Sequence, residues 1–194
     1  RVAATEGITA VGVIQALNGK MKPQVDELQK KADEWANKVK EGWMDRRLAW
    51  TCLRSMIWPS LSYPLHVCSI SKNQGDAIIV QLYQALLPEL GLQQKFPKIW
   101  RYAPRWFQAL ALPHPYFIQG QEHICLFQQL GLSNKISGGL LRISLDQAQL
   151  ELGWNVPLLQ DDNKTWGFLL TQNLWIGSMW EFCDEYKITL EASR

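Results

Sequence analysis

From Pro23 to Val39 apolar residues return every third or fourth position: Val25, Leu28, Ala32, Trp35, Ala36 and Val39. At 100° per residue they fall on one stripe, and nearly everything between them is charged or carries an amide. Such a stretch is predicted to be a helix, and a helix of this kind must find partners for its stripe. Pro23 fits the first turn, where a missing N–H costs nothing, and Gly42 ends the run. Asp26–Lys30, Glu27–Lys31 and Glu34–Lys38 stand four apart in the favourable order, each contributing ~0.2–0.5 kcal/mol. The charged side is expected to be simply solvated.

Partners follow at once. Asp45 is a good N-cap for a second helix that Pro59 is expected to stop. Leu48, Ala49, Cys52, Leu53, Met56 and Ile57 share one side of it, predicted as core. Arg47, Trp50, Arg54 and Trp58 fall together on the other side. The quick succession predicts antiparallel packing of the first two helices. A third helix, capped by Ser71 or a neighbour, is apolar nearly all round through DAIIVQLYQALL and is closed by Pro88 and Gly91. These predict a compact three-helix unit over residues 23–90.

Residues 1–22 read as the end of a strand (Ile8 to Ile14) and a turn at Asn18-Gly19. After residue 90 the character changes: LQQKFPKIWRYAPRWFQALALPHP has four prolines and no helical period, and predicts an irregular segment or a hairpin near 96–112. A helix from about Tyr116 to Leu130 ends at Gly131. Ser137-Gly138-Gly139 reads as a loop, and Ser144 as the cap of a short helix closed by Gly153. WNVPLLQDDNKTW reads as another loop. Thr171 is expected to cap a last helix bearing Trp175, Met179, Trp180, Phe182, Cys183 and Tyr186. The fold class expected is therefore mainly α, a three-helix bundle followed by a second helical part over 91–194.

The chain has 194 residues, of which 47% are apolar and 20% charged, with a net charge of +2. No apolar run approaches the ~18 residues of a membrane span, so no membrane partner is expected. RVAATEGITAVGV has no leucine-rich run after its Arg, so no signal peptide is expected, and the start reads as the interior of a longer chain. Cys52, Cys68, Cys125 and Cys183 show no CxxC and no Cys/His ligand spacing, which suggests reduced intracellular thiols rather than disulfides.

Catalytic chemistry is hard to find. Asp161-Asp162 is the single Asp-Asp pair, but Pro157 before it and Asn163-Lys164 after it describe a solvent loop rather than a metal-holding hairpin. His66, His114 and His123 are isolated, and His123 and Cys125 point about 200° apart on one helix. Gly138-Gly139 lacks the Lys of a phosphate loop. No catalytic residue, metal ligand or cofactor site is expected. What remains is the grouping of Arg46, Arg47, Trp50 and Arg54 on one helix, and of Arg101 and Arg105 among Trp100, Tyr102, Trp106 and Phe107. Arginine binds phosphate bidentately and indoles stack on bases or sugars, so such groupings suit nucleic acid. The same residues also fit buried indoles with snorkelling arginines on a silent helical protein-interaction module.

The order of the pieces carries a resemblance. Val11-Gly12-Val13 leads to a helix with ADEWANKV, then to a helix bearing Arg47 and ending IWPSLSYPL. A third apolar helix is followed by a basic segment ending Leu110 to Pro113. This resembles the region downstream of the catalytic palm in LINE-type (non-LTR) retroelement reverse transcriptases. There, a strand leads into a helical thumb, an "lP.l.Y" motif closes its second helix, and a "GGLGLP"-like motif follows. The tail, GLLRISLDQAQLELG and LTQNLWIGSMWEFCDE, resembles the extension in such elements of algae and related eukaryotes. The motif position here reads Gln108-Ala109-Leu110-Ala111-Leu112-Pro113, without its glycines, as in a decaying copy. The resemblance implies a thumb-plus-connector fragment that holds an RNA or DNA template–primer duplex by its phosphates. The palm and fingers of the parent polymerase, with the metal-binding aspartates, would lie before Arg1.

Overall fold

The computed structural model describes residues 7–10, 12–16, 20–153, 157–160, 162–170 and 174–190. The expected turn at Asn18-Gly19, the Thr171 cap, Asp161 and Val11 lie outside them. The protein is mainly helical with a short N-terminal hairpin, and it divides into two compact units: residues 1–65 with 70–118, and 66–69 with 119–194.

The first unit opens with β1 (Gly7–Ala10) and β2 (Val13–Ala16), antiparallel, with Ile8 opposite Gln15 and Thr9 opposite Ile14. One strand was expected over this stretch. Gly12, at φ 79°, makes the difference, because a left-handed residue lets the chain reverse. The hairpin is tied down by Gln24, which is 1% exposed and accepts the Ile14 N–H on Oε1 at 2.6 Å. Gln24 belongs to α1 (Lys22–Glu41), whose Leu28, Ala32, Ala36 and Val39 are buried as the stripe requires.

The main partner of α1 is α4 (Lys72–Glu89), rather than the helix that follows α1 in the chain. Its surface explains the choice: Ile78, Ile79, Leu82, Tyr83, Leu86 and Leu87 are all buried, so it offers apolar area in several directions. Ser71 caps it in a full capping box, Oγ accepting from Gln74 N at 3.3 Å while Gln74 Oε1 accepts from Ser71 N at 2.8 Å.

The second helix does not stop at Pro59. It runs as α2 (Arg46–Cys52), a π turn (Leu53–Ile57) and α3 (Trp58–Ser62), with Asp45 capping it by accepting Leu48 N at 2.8 Å. Proline blocks a helix by lacking an N–H and by pressing on the carbonyl four residues earlier. The wider π turn, in which Trp58 N reaches back to Leu53 O, opens the backbone just before Pro59. The buried line is Ala49, Leu53, Ile57, Leu61 and Leu65, each within 1% of fully covered. In a regular helix positions four apart drift by about 40° per step. The π turn takes part of that drift back, which keeps the line facing one core. Leu48 and Met56, expected in that core, are 47% and 53% exposed, and Cys52 is half-buried.

Residues 92–113 double back without strands. They form α5 (Lys98–Tyr102) and a single 3-10 turn (Arg105–Phe107), and then Leu110 N donates to Trp100 O at 3.0 Å and Leu112 N to Arg101 O at 2.7 Å. Lys98 pairs with Asp76 at 3.1 Å and the Tyr83 hydroxyl donates to Pro113 O, so this excursion belongs with α4 in the first unit. The observed division therefore falls after Ile118 rather than near residue 90.

In the second unit, the later turns of α6 (Pro115–Gly131) join α7 (Ile136–Leu152), α8 (Asn163–Trp166) and α9 (Leu174–Tyr186). Phe127, Leu141, Met179, Cys183 and Leu190 make one core cluster, and Ala148, Leu158, Leu170, Ile176 and Trp180 another. Gly138-Gly139, expected as a loop, lies inside α7. A Cβ on Gly138 would stand 2.1 Å from Ser133 O and 2.7 Å from Leu130 O, so the glycine permits a close turn into the helix rather than a break in it. Ser144, expected as a cap, is mid-helix, while Gly153 closes α7 at φ 65° as expected. The expected loop after it contains α8, capped by Asp162.

Candidate functional site

The basic–aromatic grouping is built by the composite second helix. Arg46 and Arg47 occupy the first turn after the Asp45 cap and are exposed. Arg54, in the π turn, is also exposed and places its guanidinium carbon 5.2 Å from the centroid of the half-buried Trp50 ring. Stacking of this kind holds a guanidinium in a fixed direction while leaving its N–H groups outward. Thr51 and Ser55 stand on the same exposed side, each hydroxyl donating to a carbonyl four residues back, Arg47 O at 3.0 Å and Thr51 O at 2.7 Å. No carboxylate occurs from Arg46 to Gly75, so no acidic residue on this stretch offsets the arginines. Trp58, beyond the π turn, is half-buried.

The second basic group splits in two. Arg101 bonds within its own excursion, Nε donating to Phe96 O at 2.5 Å and an η nitrogen to Gln94 O at 3.1 Å. Arg105 is exposed beside Trp106 and Phe107, which are 80% and 62% exposed with ring centroids 6.1 Å apart. No Asp or Glu lies between Glu89 and Glu122, so the excursion carries positive charge only. Trp43, fully exposed two residues before the Asp45 cap, escaped the sequence reading. Its signal was available, because a tryptophan between Gly42 and a helix cap has no stripe to join.

Two polar clusters could be mistaken for catalytic sites. Asp76 Oδ1 lies 3.4 Å from His114 Nε2 and 3.1 Å from Lys98 Nζ, but the ring's other nitrogen accepts the Tyr116 N–H at 3.2 Å. Both ring nitrogens are thus engaged, and the ring is 4% exposed, which makes the pair a pin between α4 and the chain entering α6. His123 is fully buried, its ring centroid 4.8 Å from that of Trp175 with the planes tilted by 43°, and the Ser178 hydroxyl donates to Trp175 O at 3.0 Å, so these groups serve packing in the second unit. The Cys68 thiol is pushed up to about 12 and that of Cys183 to about 11, both by burial, which keeps them protonated. Asp162 is spent on its cap, accepting Lys164 N at 3.1 Å and the Thr165 hydroxyl at 2.8 Å. Among the described residues there is no group of three or more His, Cys, Asp or Glu placed to hold a metal ion, and no helix long and apolar enough to cross a membrane.

The surface made by the exposed Arg46, Arg47 and Arg54 with the half-buried Trp50 is therefore the best-formed candidate for recognition. Among known proteins, no family model, curated sequence or solved structure matches the chain.

Proposed function

We propose that the first unit grips a nucleic-acid duplex by its phosphates, in the manner of the thumb of a LINE-type reverse transcriptase, with the polymerase chemistry supplied by a palm outside this sequence. The observation that carries this reading is the acid-free helix face on which Arg47 and Arg54 are exposed and Arg54 is braced by Trp50. Backbone contacts of this kind hold a duplex without reading its sequence. A second observation supports the same reading. Gln108 and Ala111 sit at φ 58° and 49°, left-handed positions, where the family motif carries glycine. The turn geometry that those glycines would favour is thus kept here without them.

The test is a salt titration of binding to an RNA–DNA duplex. Affinity should fall steeply with salt, and each arginine removed should lessen the log–log slope by about one. Trp50→Ala should weaken binding and leave the slope alone, because stacking releases no counterions. If Arg47→Ala combined with Arg54→Ala binds as tightly as the parent at every salt concentration, the face does not grip nucleic acid. A protein partner would then be the better occupant.

A further inference from the structure

The excursion that follows α4 carries at its tip Arg105-Trp106-Phe107-Gln108, all four exposed. Backbone bonds fix this turn: Phe107 N donates to Pro104 O at 3.0 Å and Gln108 N to Arg105 O at 2.8 Å. Behind it Ala109 and Leu112 are buried, and Ala111 N donates to Ala103 O at 3.1 Å. The two rings take no part in that anchoring. They stand on adjacent residues with their planes tilted by 46°, and each keeps most of its surface in water. A platform set in advance by its backbone loses little freedom when something lands on it.

The residues around the rings restrict what can cover them. Lys98 is drawn to Asp76 and Arg101 to carbonyls, but Lys95 and Arg105 stand exposed on an excursion that has no Asp or Glu of its own. The charge therefore suits an anionic partner. A lipid interior fits poorly, because sinking the rings would strip water from the Gln108 amide and the Arg105 guanidinium beside them. A nucleotide fits every part: a flat face for each ring, base edges for the amide and a phosphate for the arginine. The base must be unpaired, since bases within a duplex already stack on one another and show only their edges in the grooves. We propose that this tip binds single-stranded nucleic acid, Trp106 and Phe107 stacking on unpaired bases while Arg105 meets the backbone. The tip lies on a different element from the α2 face, and its binding does not depend on the duplex grip proposed there.

The test compares two labelled strands of equal length by fluorescence anisotropy, a short oligothymidylate and an abasic strand with the same phosphates. The whole chain should bind the thymidylate more tightly. Trp106→Ala and Phe107→Ala, both at exposed positions and checked for an unchanged melting temperature, should each weaken thymidylate binding about tenfold and leave the abasic strand unaffected. Trp106→Leu, which keeps apolar bulk without a ring, should fall as far as Trp106→Ala. Arg105→Ala should weaken both strands alike. Equal affinity for the two strands, or a Trp106→Leu variant that binds thymidylate like the parent, would overturn the stacking. Capture of the chain by phosphatidylserine–phosphatidylcholine vesicles through Trp106, with no binding of thymidylate, would also overturn it and assign the tip to a lipid surface.

Discussion

Asp76 and His114, thirty-eight residues apart, meet at 3.4 Å while the same imidazole accepts the Tyr116 N–H, so the ring is neutral with its proton on Nε2. Burial holds the His114 pKa below its ordinary 6.5, even though Asp76 pulls the other way. Burial alone would raise the Asp76 carboxyl, but its bonds to Lys98 and His114 outweigh that and lower it. For the histidine the unfolded chain takes up the proton first, so its contribution is full above 6.5 and drains away as pH falls below that value. For Asp76 the contribution is present above 3.8 and is lost only as pH falls through its lowered folded value. The melting temperature of the parent should therefore drop between about pH 7.5 and about pH 5.5. His114→Asn should be less stable at the upper pH yet flatter across the window. A parent flat over the same range would show that the ring is not held neutral.

Neighbouring glycines in α7 should respond oppositely. Gly139 has open space where a Cβ would be, so Gly139→Ala should stabilise the helix by ~0.5–1 kcal/mol. Gly138→Ala would drive its Cβ into the Ser133 carbonyl and should destabilise by several kcal/mol, on the order of 3. Thermal melts of the two variants decide the matter, and equal melting temperatures would mean that α7 starts differently.

Glycine at the two left-handed positions is expected to help. Gln108→Gly and Ala111→Gly should each stabilise the first unit by about 1 kcal/mol, because a side chain at such φ costs ~1–2 kcal/mol. Urea titration would show higher midpoints with an unchanged slope. A lower midpoint for both would place these residues at negative φ.

The two arginines of the excursion have separable roles. Arg101→Ala removes a clamp on Phe96 O and Gln94 O and should lower the melting temperature. Arg105→Ala should leave stability within about 0.5 kcal/mol, as expected for an exposed site, and lessen the salt slope of duplex binding by about one. The reverse pattern would exchange their assignments.

Trp35, half-buried rather than fully covered, donates its Nε1 proton to Ser60 Oγ at 3.1 Å, with Lys38 4.8 Å over its ring. Trp35→Phe and Ser60→Ala should each cost about 1 kcal/mol. The double variant should cost clearly less than their sum, since both remove one bond. Full additivity would deny the contact.

The helices were legible wherever a stripe or a cap spoke plainly. Leu28, Ala32 and Val39, the Asp45 and Ser71 caps, and Gly153 fell where periodicity and capping chemistry put them. What misled were residues whose meaning is set by contacts remote in sequence or by local backbone shape. Gly138 reads as a loop residue until the carbonyls of Leu130 and Ser133 are seen to leave room for nothing else. Pro59 reads as a stop until the backbone widens ahead of it. Leu48 and Met56 read as core because each adjoins a residue of the buried line, but both lie on its flank, where solvent reaches them. Of the candidate site, the exposure of Arg47 and Arg54 followed from the helical wheel. The internal use of Arg101 did not, because its acceptors are carbonyls of an irregular segment that carries no period.

The π turn also has a bearing on chain length. A helix whose buried side chains recur every fourth residue from Ala49 to Leu65 holds one residue more than an even α-helical winding of that line would need. That surplus residue is lodged between Leu53 and Ile57, on the turn that carries Arg54 and Ser55, at the outer surface rather than in the core. The helix thus tolerates an added residue in the way that loops ordinarily do, and the cost of the addition falls on a surface turn beside the candidate interface. Variation in length among related chains would be accommodated at this turn before it reached either end of the rod.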